Sequence, residues 1–160
     1  MKLKPYSTRH FIFNSVLIAI PWLSLIFIGR KSFKRYAPSG IFIIVFEFFN
    51  HVYGHKRHWW KFYGKKRRFI TDELPFTVGP YMPLSMWILK YTFGNFKKFV
   101  TVNLIVDGLF AFVWINLFKK WKIIRLNNLN HIQFFVYLHY KAYLLYGLQL
   151  MIEKMRNRPW

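Results

Sequence analysis

The sequence predicts an all-α protein: a polytopic integral membrane helix bundle with five transmembrane helices, forming one domain over residues 1–160. Hydrophobic residues make up 54% of the chain and aromatic residues 22%. Only five acidic residues accompany 25 lysines and arginines, whereas water-soluble surfaces mix both signs of charge. The cations form short clusters between apolar runs close to the ~20 residues that cross a hydrocarbon core.

The first predicted span covers residues 11–29 and has basic residues on both sides. Its apolar region is too long for a cleaved signal peptide, so it is predicted to be retained as a span. The second span, 37–54, is shorter and carries Glu47, Asn50 and His51 near its end. Four spans plus a re-entrant segment at 37–54 is therefore the alternative architecture.

Residues 55–73 form the longest polar segment, in which cations alternate with tryptophan, phenylalanine and tyrosine. Such mixtures mark the headgroup level of a bilayer, where amphipathic rings and long cationic side chains meet water. This basic loop is predicted to lie on the membrane surface. Its candidate contacts with anionic lipid or an acidic partner are Lys65, Lys66, Arg67 and Arg68.

The remaining predicted spans are 74–93, 99–118 and 129–151. Because Pro75, Pro80 and Pro83 each remove a backbone donor, the first half of the third span is predicted to be kinked or unwound. Cations are more numerous on the side that carries the N-terminus, which favours a cytoplasmic N-terminus in a cell membrane.

Ionisable residues inside a bilayer cost at least ~2.5 kcal/mol at mid-depth and are rarely unpaired. Glu47 and Asp107 are the acidic residues inside predicted spans, and the other three lie in segments predicted outside the membrane. Their expected partners are Lys90, His139 and Lys141. The candidate intramembrane polar centre comprises Glu47, His51, Asp107, His139 and Lys141. It is either interhelical glue, worth ~1 kcal/mol per contact, or a functional site.

Histidines spaced after Glu47 suggest a metal site as a lesser alternative. At ~100° per residue, Glu47, His51, His55 and His58 share one helical face, although the glutamate precedes the histidines rather than lying between them as in HExxH. Gly54 is a position at which the helix is expected to end, which would leave His55 and His58 in the basic interfacial belt. Haem ligation by His51 and His139 is a further alternative. No cofactor is predicted, and the absence of cysteine excludes disulfides and thiolate metal sites.

Two stretches carry a resemblance: PFTVGPYMPLSMWILKYTFGNFKKF at 75–99 and FKKWKIIRLNNLNHIQFFVYLHYKAYLLYG at 118–147. Prolines open the third helix, tryptophan and lysine close it, and a lysine-rich turn leads to an aromatic last helix. In these features the chain resembles small five-helix membrane proteins of endospore-forming bacteria. The resemblance implies a bacterial multi-pass membrane protein and supplies no active-site residues.

The sequence contains neither a GxSxG nucleophile motif nor a Walker glycine loop. The leading hypothesis is therefore a non-enzymatic membrane component or accessory subunit that contacts anionic lipid, an acidic partner or other membrane proteins. A small transporter or proton-coupled protein that uses Glu47 and Asp107 is the alternative, and an intramembrane lipid-modifying enzyme is the second alternative. Nucleic acid is not an expected partner, because the cations are dispersed among hydrophobic spans.

Overall fold

The structure, a computed structural model, describes residues 8–63 and 72–156. Its described residues are all-α apart from one short two-stranded ladder. The helices are α1 (Thr8–Ser24, extended by the 3₁₀ turn Leu25–Phe27), α2 (Arg30–Lys56), α3 (Leu74–Val78), α4 (Tyr81–Thr92), α5 (Phe96–Leu109, continuing through the π-helical Phe110–Trp114 into Ile115–Lys120) and α6 (His131–Arg156). The strands are β1 (Trp60–Phe62) and β2 (Ile124–Leu126).

Many large apolar side chains are exposed, whereas several ionisable side chains are buried. Large side chains such as Ile26 and Phe27 are 73% and 79% exposed, whereas Glu47 is 0% and Lys141 4% exposed. Exposed apolar side chains in this number mark a surface that contacts another protein or a membrane. Within residues 8–63 and 72–156, two helical segments are long and apolar enough to cross a membrane by length and composition: His10–Phe27 and Phe96–Lys120.

Contacts along α2 fix the relative directions of the helices. Near its start, Ser39 Oγ donates a hydrogen bond of 2.7 Å to Gln149 Oε1, late in α6. Further along, Glu47 meets Lys141, so α2 and α6 are antiparallel. Helix α2 is also antiparallel to α3 and α4, because His51 near its end meets Thr77 of α3, while its start packs on the end of α4.

The other helices complete an alternating bundle. Trp22 Nε1 of α1 donates to Val78 O, and Trp87 Nε1 of α4 donates to Ser24 Oγ, each at 2.9 Å. Helix α1 therefore runs in the same direction as α3 and α4. Phe99 packs on Tyr146, and Asp107 meets His139, so α5 and α6 are antiparallel.

The predicted break in the third span is confirmed. The helix stops after Val78 and restarts at Tyr81, with Gly79 and Pro80 between the two pieces. Gly79 also permits a close approach: a methyl group there would lie 2.6 Å from Pro75 O and 2.8 Å from Leu17 O. A side chain at this position would force α1 and α3 apart.

Helix α2 continues through Gly54 to Lys56, so the prediction that Gly54 ends it is wrong. The missing side chain serves packing instead, because a Cβ at Gly54 would collide with the ring of Trp60. Residues 37–54 form one uninterrupted helix, without the reversal that a re-entrant segment requires.

Helices α2 and α5 end in a shared structure that the sequence did not predict. Each is followed by a non-glycine residue with positive φ, His58 at 57° and Lys122 at 53°, which turns the chain into a strand. Antiparallel β1 and β2 then pair in the register Trp60↔Leu126, Lys61↔Arg125 and Phe62↔Ile124. The end of the bundle that carries these strands is called the ladder end below.

Candidate functional site

A buried ion pair joins α2 to α6 at the middle of the bundle. Lys141 Nζ lies 2.7 Å from Glu47 Oε1, and the two side chains are 4% and 0% exposed. The hydroxyl of Tyr137 donates to the other carboxylate oxygen at 3.3 Å. The ammonium also lies 4.0 Å from the ring centroid of Tyr137 and 4.9 Å from that of Tyr81. Rings and carboxylate together compensate for part of the desolvation of the two charges.

A second acid–base pair joins α5 to α6. His139 Nδ1 lies 3.0 Å from Asp107 Oδ2, and its Nε2 lies 3.0 Å from the hydroxyl of Tyr143. A neutral imidazole with its proton on Nδ1 satisfies both contacts, donating to Asp107 and accepting from Tyr143. Since both ring nitrogens of His139 are engaged, haem ligation by His51 and His139 does not fit this arrangement.

The backbone of α5 departs from α-helical geometry just beyond Asp107. The π-helical segment Phe110–Trp114 begins three residues later, and such segments frequently accompany functional sites. One turn before Asp107, Asn103 is buried and donates through Nδ2 to Phe99 O at 2.8 Å. Asn103 and Asp107 are four residues apart and therefore present their side chains on one face.

The histidines of α2 contact the short helix α3 and its cap. His51 Nδ1 lies 2.6 Å from Thr77 Oγ1, and His55 pairs with Glu73. Glu73, predicted to lie outside the membrane-embedded part, is 1% exposed. His55, predicted to belong to a basic interfacial belt, is partly exposed and lies on the last turn of α2, from which its imidazole meets a buried carboxylate.

The candidate metal ligands do not converge. His58 lies beyond the end of α2, is exposed, and its Nδ1 donates to His55 O at 3.1 Å. Over residues 8–63 and 72–156, no three histidine, aspartate or glutamate side chains are grouped so as to hold a metal ion. Helical spacing predicts that Glu47 and the three histidines share one face of α2. The helix ends before His58, however, and the left-handed conformation of that residue removes its side chain from the face.

The remaining predicted site residues lie elsewhere. Lys90 Nζ donates to Ile28 O at 3.0 Å and so contacts a helix end rather than a buried carboxylate. The four candidate lipid contacts fall outside the described residues: Lys65, Lys66, Arg67 and Arg68.

A cavity of about 140 Å³ lies among α2, α4, α5, α6 and the strands. Its lining includes the polar side chains of His51, Ser85, Asn103, Asp107 and Lys141 and two tyrosines, Tyr81 and Tyr137. Its ladder-end walls are aromatic, with Trp60, Phe62, Phe76, Phe110 and Phe134 among them. Three members of the predicted polar centre thus share one cavity, while Glu47 approaches it through its ion pair with Lys141.

A third polar network, missed by sequence reasoning, ties α2 to α6 at the end opposite the ladder. Arg35 Nε donates to Glu153 Oε1 at 2.7 Å, and Gln149 Nε2 donates to the same oxygen at 2.9 Å. The hydrogen bond from Arg35 lowers the pKa of the Glu153 carboxyl below its ordinary value. No sequence motif marks this network, because Arg35 lies more than 100 residues from Glu153 in the chain.

Comparison of the chain with protein-family models, curated proteins and solved structures finds no match. A functional conclusion therefore depends on the geometry of the bundle, its cavity and its charged end.

Proposed function

We propose that the chain is a multi-pass cell-membrane protein whose five predicted spans all cross the bilayer. At 1.5 Å per residue, the 27-residue α2 and the 26-residue α6 are each about 40 Å long. Both exceed the ~30 Å hydrocarbon core. The alternating directions of the helices are those of five successive crossings.

The charges in α2 and α6 are compatible with crossing. Glu47 and Lys141 face one another in the interior, whereas lipid-facing positions such as Phe49 and Val136 are apolar and exposed. Ionisable residues of polytopic proteins characteristically face the bundle interior and pair there.

Within that architecture, we propose a non-enzymatic membrane component whose ladder end binds anionic lipid headgroups. The supporting observation is the β1–β2 pairing, which joins two basic segments that are about 60 residues apart in sequence. This basic face comprises Lys56, Arg57, Lys61, Lys119, Lys120, Lys122 and Arg125. Arg125 is partly exposed, and the other six are exposed. Each well-placed cation contributes roughly 1 kcal/mol of attraction to an anionic surface.

The same end carries the start of α1, because Phe13 packs on Phe118 at the end of α5. The positive-inside rule therefore orients the basic face and the N-terminus toward the cytoplasm. Anionic lipids give the cytoplasmic leaflet its negative surface potential, so the proposed orientation places the basic face against its ligand.

Topology is testable by cysteine labelling, since the native chain has no cysteine. With Lys61→Cys and Lys120→Cys, an impermeant maleimide added outside intact cells should label neither, whereas Lys97→Cys should react. Labelling of Lys61→Cys and Lys97→Cys from the same side would overturn the five-crossing topology.

Lipid binding is testable in detergent by native mass spectrometry with phosphatidylglycerol. A triple variant of the basic face should bind fewer lipids: Lys119→Gln/Lys120→Gln/Lys122→Gln. Added salt should likewise reduce lipid binding by the unmodified protein. The matched control at the opposite end, Lys97→Gln/Lys98→Gln/Lys154→Gln, should change binding less. Equal losses in both variants would show that charge alone, without the assembled ladder end, accounts for binding.

A second candidate function, small-solute or proton-coupled transport, is favoured by the cavity that His51, Asp107 and Lys141 line together. In reconstituted vesicles, Glu47→Gln/Asp107→Asn should abolish transport while leaving membrane insertion intact. Unchanged transport in this variant would remove both carboxylates from the mechanism.

A further inference from the structure

We infer that the central cavity is a binding site for a neutral aromatic molecule of about benzene size carrying one hydrogen-bond-accepting oxygen. This inference deepens the second candidate function, because it names the ligand class of the same cavity. It does not depend on lipid binding at the ladder end.

The size of the ligand follows from the space available. The cavity measures about 140 Å³, similar to an engineered apolar cavity of ~150 Å³ that accepts benzene. Its apolar walls at the ladder end are mainly rings, including Trp60, Phe76 and Phe134. Rings in such walls pack favourably edge-to-face or offset against a guest ring.

The oxygen follows from the chemistry of Lys141. An ammonium has three N–H donors, and the contacts of Lys141 are one oxygen of Glu47 and the faces of two tyrosine rings. Glu47 therefore accepts from at most one of the three N–H groups on the oxygen that it presents to Lys141. Because Lys141 also lines the cavity, a guest oxygen can accept a hydrogen bond from another of these N–H groups. The guest ring would then extend toward the aromatic ladder-end walls.

Neutrality follows from the surrounding charges. Lys141 is already paired with Glu47, and Asp107 lies on the same cavity wall. A guest anion would face the Asp107 carboxylate, and a guest cation would face the buried ammonium of Lys141. A neutral phenol or ketone avoids both repulsions and the large desolvation cost of a buried charge.

Direct binding to purified protein in nanodiscs of neutral lipid tests the inference by ¹⁹F nuclear magnetic resonance. The probe is 4-fluorophenol, neutral at pH 7, and its near-isosteric control is 4-fluorotoluene, which lacks the oxygen. We expect saturable binding of the phenol at least tenfold tighter than that of the toluene. Equal affinities, or tighter binding of 4-fluorobenzoate, would overturn the inference.

Two variants locate the site. Ala142 is buried on the cavity wall, so Ala142→Leu should fill the space and reduce phenol binding at least tenfold. The matched control, Ala19→Leu on the exposed face of α1, should bind as the unmodified protein does. Unchanged binding in folded Ala142→Leu would place the phenol elsewhere and refute the inference.

A third variant, Glu47→Gln/Lys141→Met, removes both charges together and leaves neither partner buried alone. It should reduce the phenol's affinity to that of the toluene, and a retained tenfold preference would exclude Lys141 as the donor. Binding that persists in a protein without transport activity would reject the transport candidate and leave the binding site established.

Discussion

Replacing Lys141 with methionine while Glu47 remains should destabilise the folded protein by about 3–5 kcal/mol. The substitution preserves an unbranched side chain of similar length and removes the ammonium. Glu47, 0% exposed, would then keep a hydrogen bond from Tyr137 but lose its cation. The reverse variant, Glu47→Gln, leaves the ammonium over the two tyrosine rings without its carboxylate.

The magnitude follows from the geometry. At the 2.7 Å separation of the two charges, Coulomb attraction with an effective dielectric constant of 20 is about 6 kcal/mol. Desolvation opposes most of this gain, so removing both charges together should leave stability nearly unchanged or raise it. The coupling energy in the double-mutant cycle should therefore exceed about 3 kcal/mol.

Unfolding in mixed micelles, followed by far-ultraviolet circular dichroism during titration with dodecyl sulfate, measures all four proteins of the cycle. Lys154→Met, at an exposed position of α6, is the control and should change stability by less than about 0.5 kcal/mol. If each single variant costs under about 1 kcal/mol and the double variant equals their sum, the pair is not coupled and the reasoning fails.

Three further predictions test other parts of the structure. Gly79→Ala should cost about 1–3 kcal/mol because its methyl group meets backbone oxygens of α1 and α3, whereas Gly147→Ala, with no atom within 4 Å of the added carbon, should not destabilise in the same unfolding assay. Because the folded-state pKa of Glu153 is lowered, its pair with α2 contributes stability above the ordinary pKa of 4.5 and loses it as pH falls through the folded value. Glu153→Gln should therefore flatten the acid side of the pH–stability curve, and an unchanged curve would contradict the pairing. Lys61→Cys/Arg125→Cys should form a disulfide on mild oxidation, because facing residues of an antiparallel ladder lie at disulfide spacing; failure to cross-link, read by gel mobility, would contradict the register.

Sequence reasoning reached the helical class and the proline break because both follow from local properties. Proline at positions 80 and 83 removes backbone donors wherever the chain goes, and the apolar runs specify helices of membrane length. The same reasoning ended α2 at Gly54 and placed His55 in a basic interfacial belt, because basic residues surround it. The helix instead continues to Lys56, and the missing side chain of Gly54 leaves room for the ring of Trp60.

What the sequence alone determined is that the few ionisable groups within apolar runs need partners, since an unpaired charge is too costly in an apolar interior. Which groups pair was decided by tertiary structure: Glu47 with Lys141 and Asp107 with His139, while Lys90 contacts a backbone carbonyl. Residues 94 positions apart in sequence meet only because α2 and α6 pack antiparallel in one register. The buried pairing of Glu73 and the ladder that assembles the basic end have the same origin, because long-range packing leaves no periodic signal in the segments that it joins.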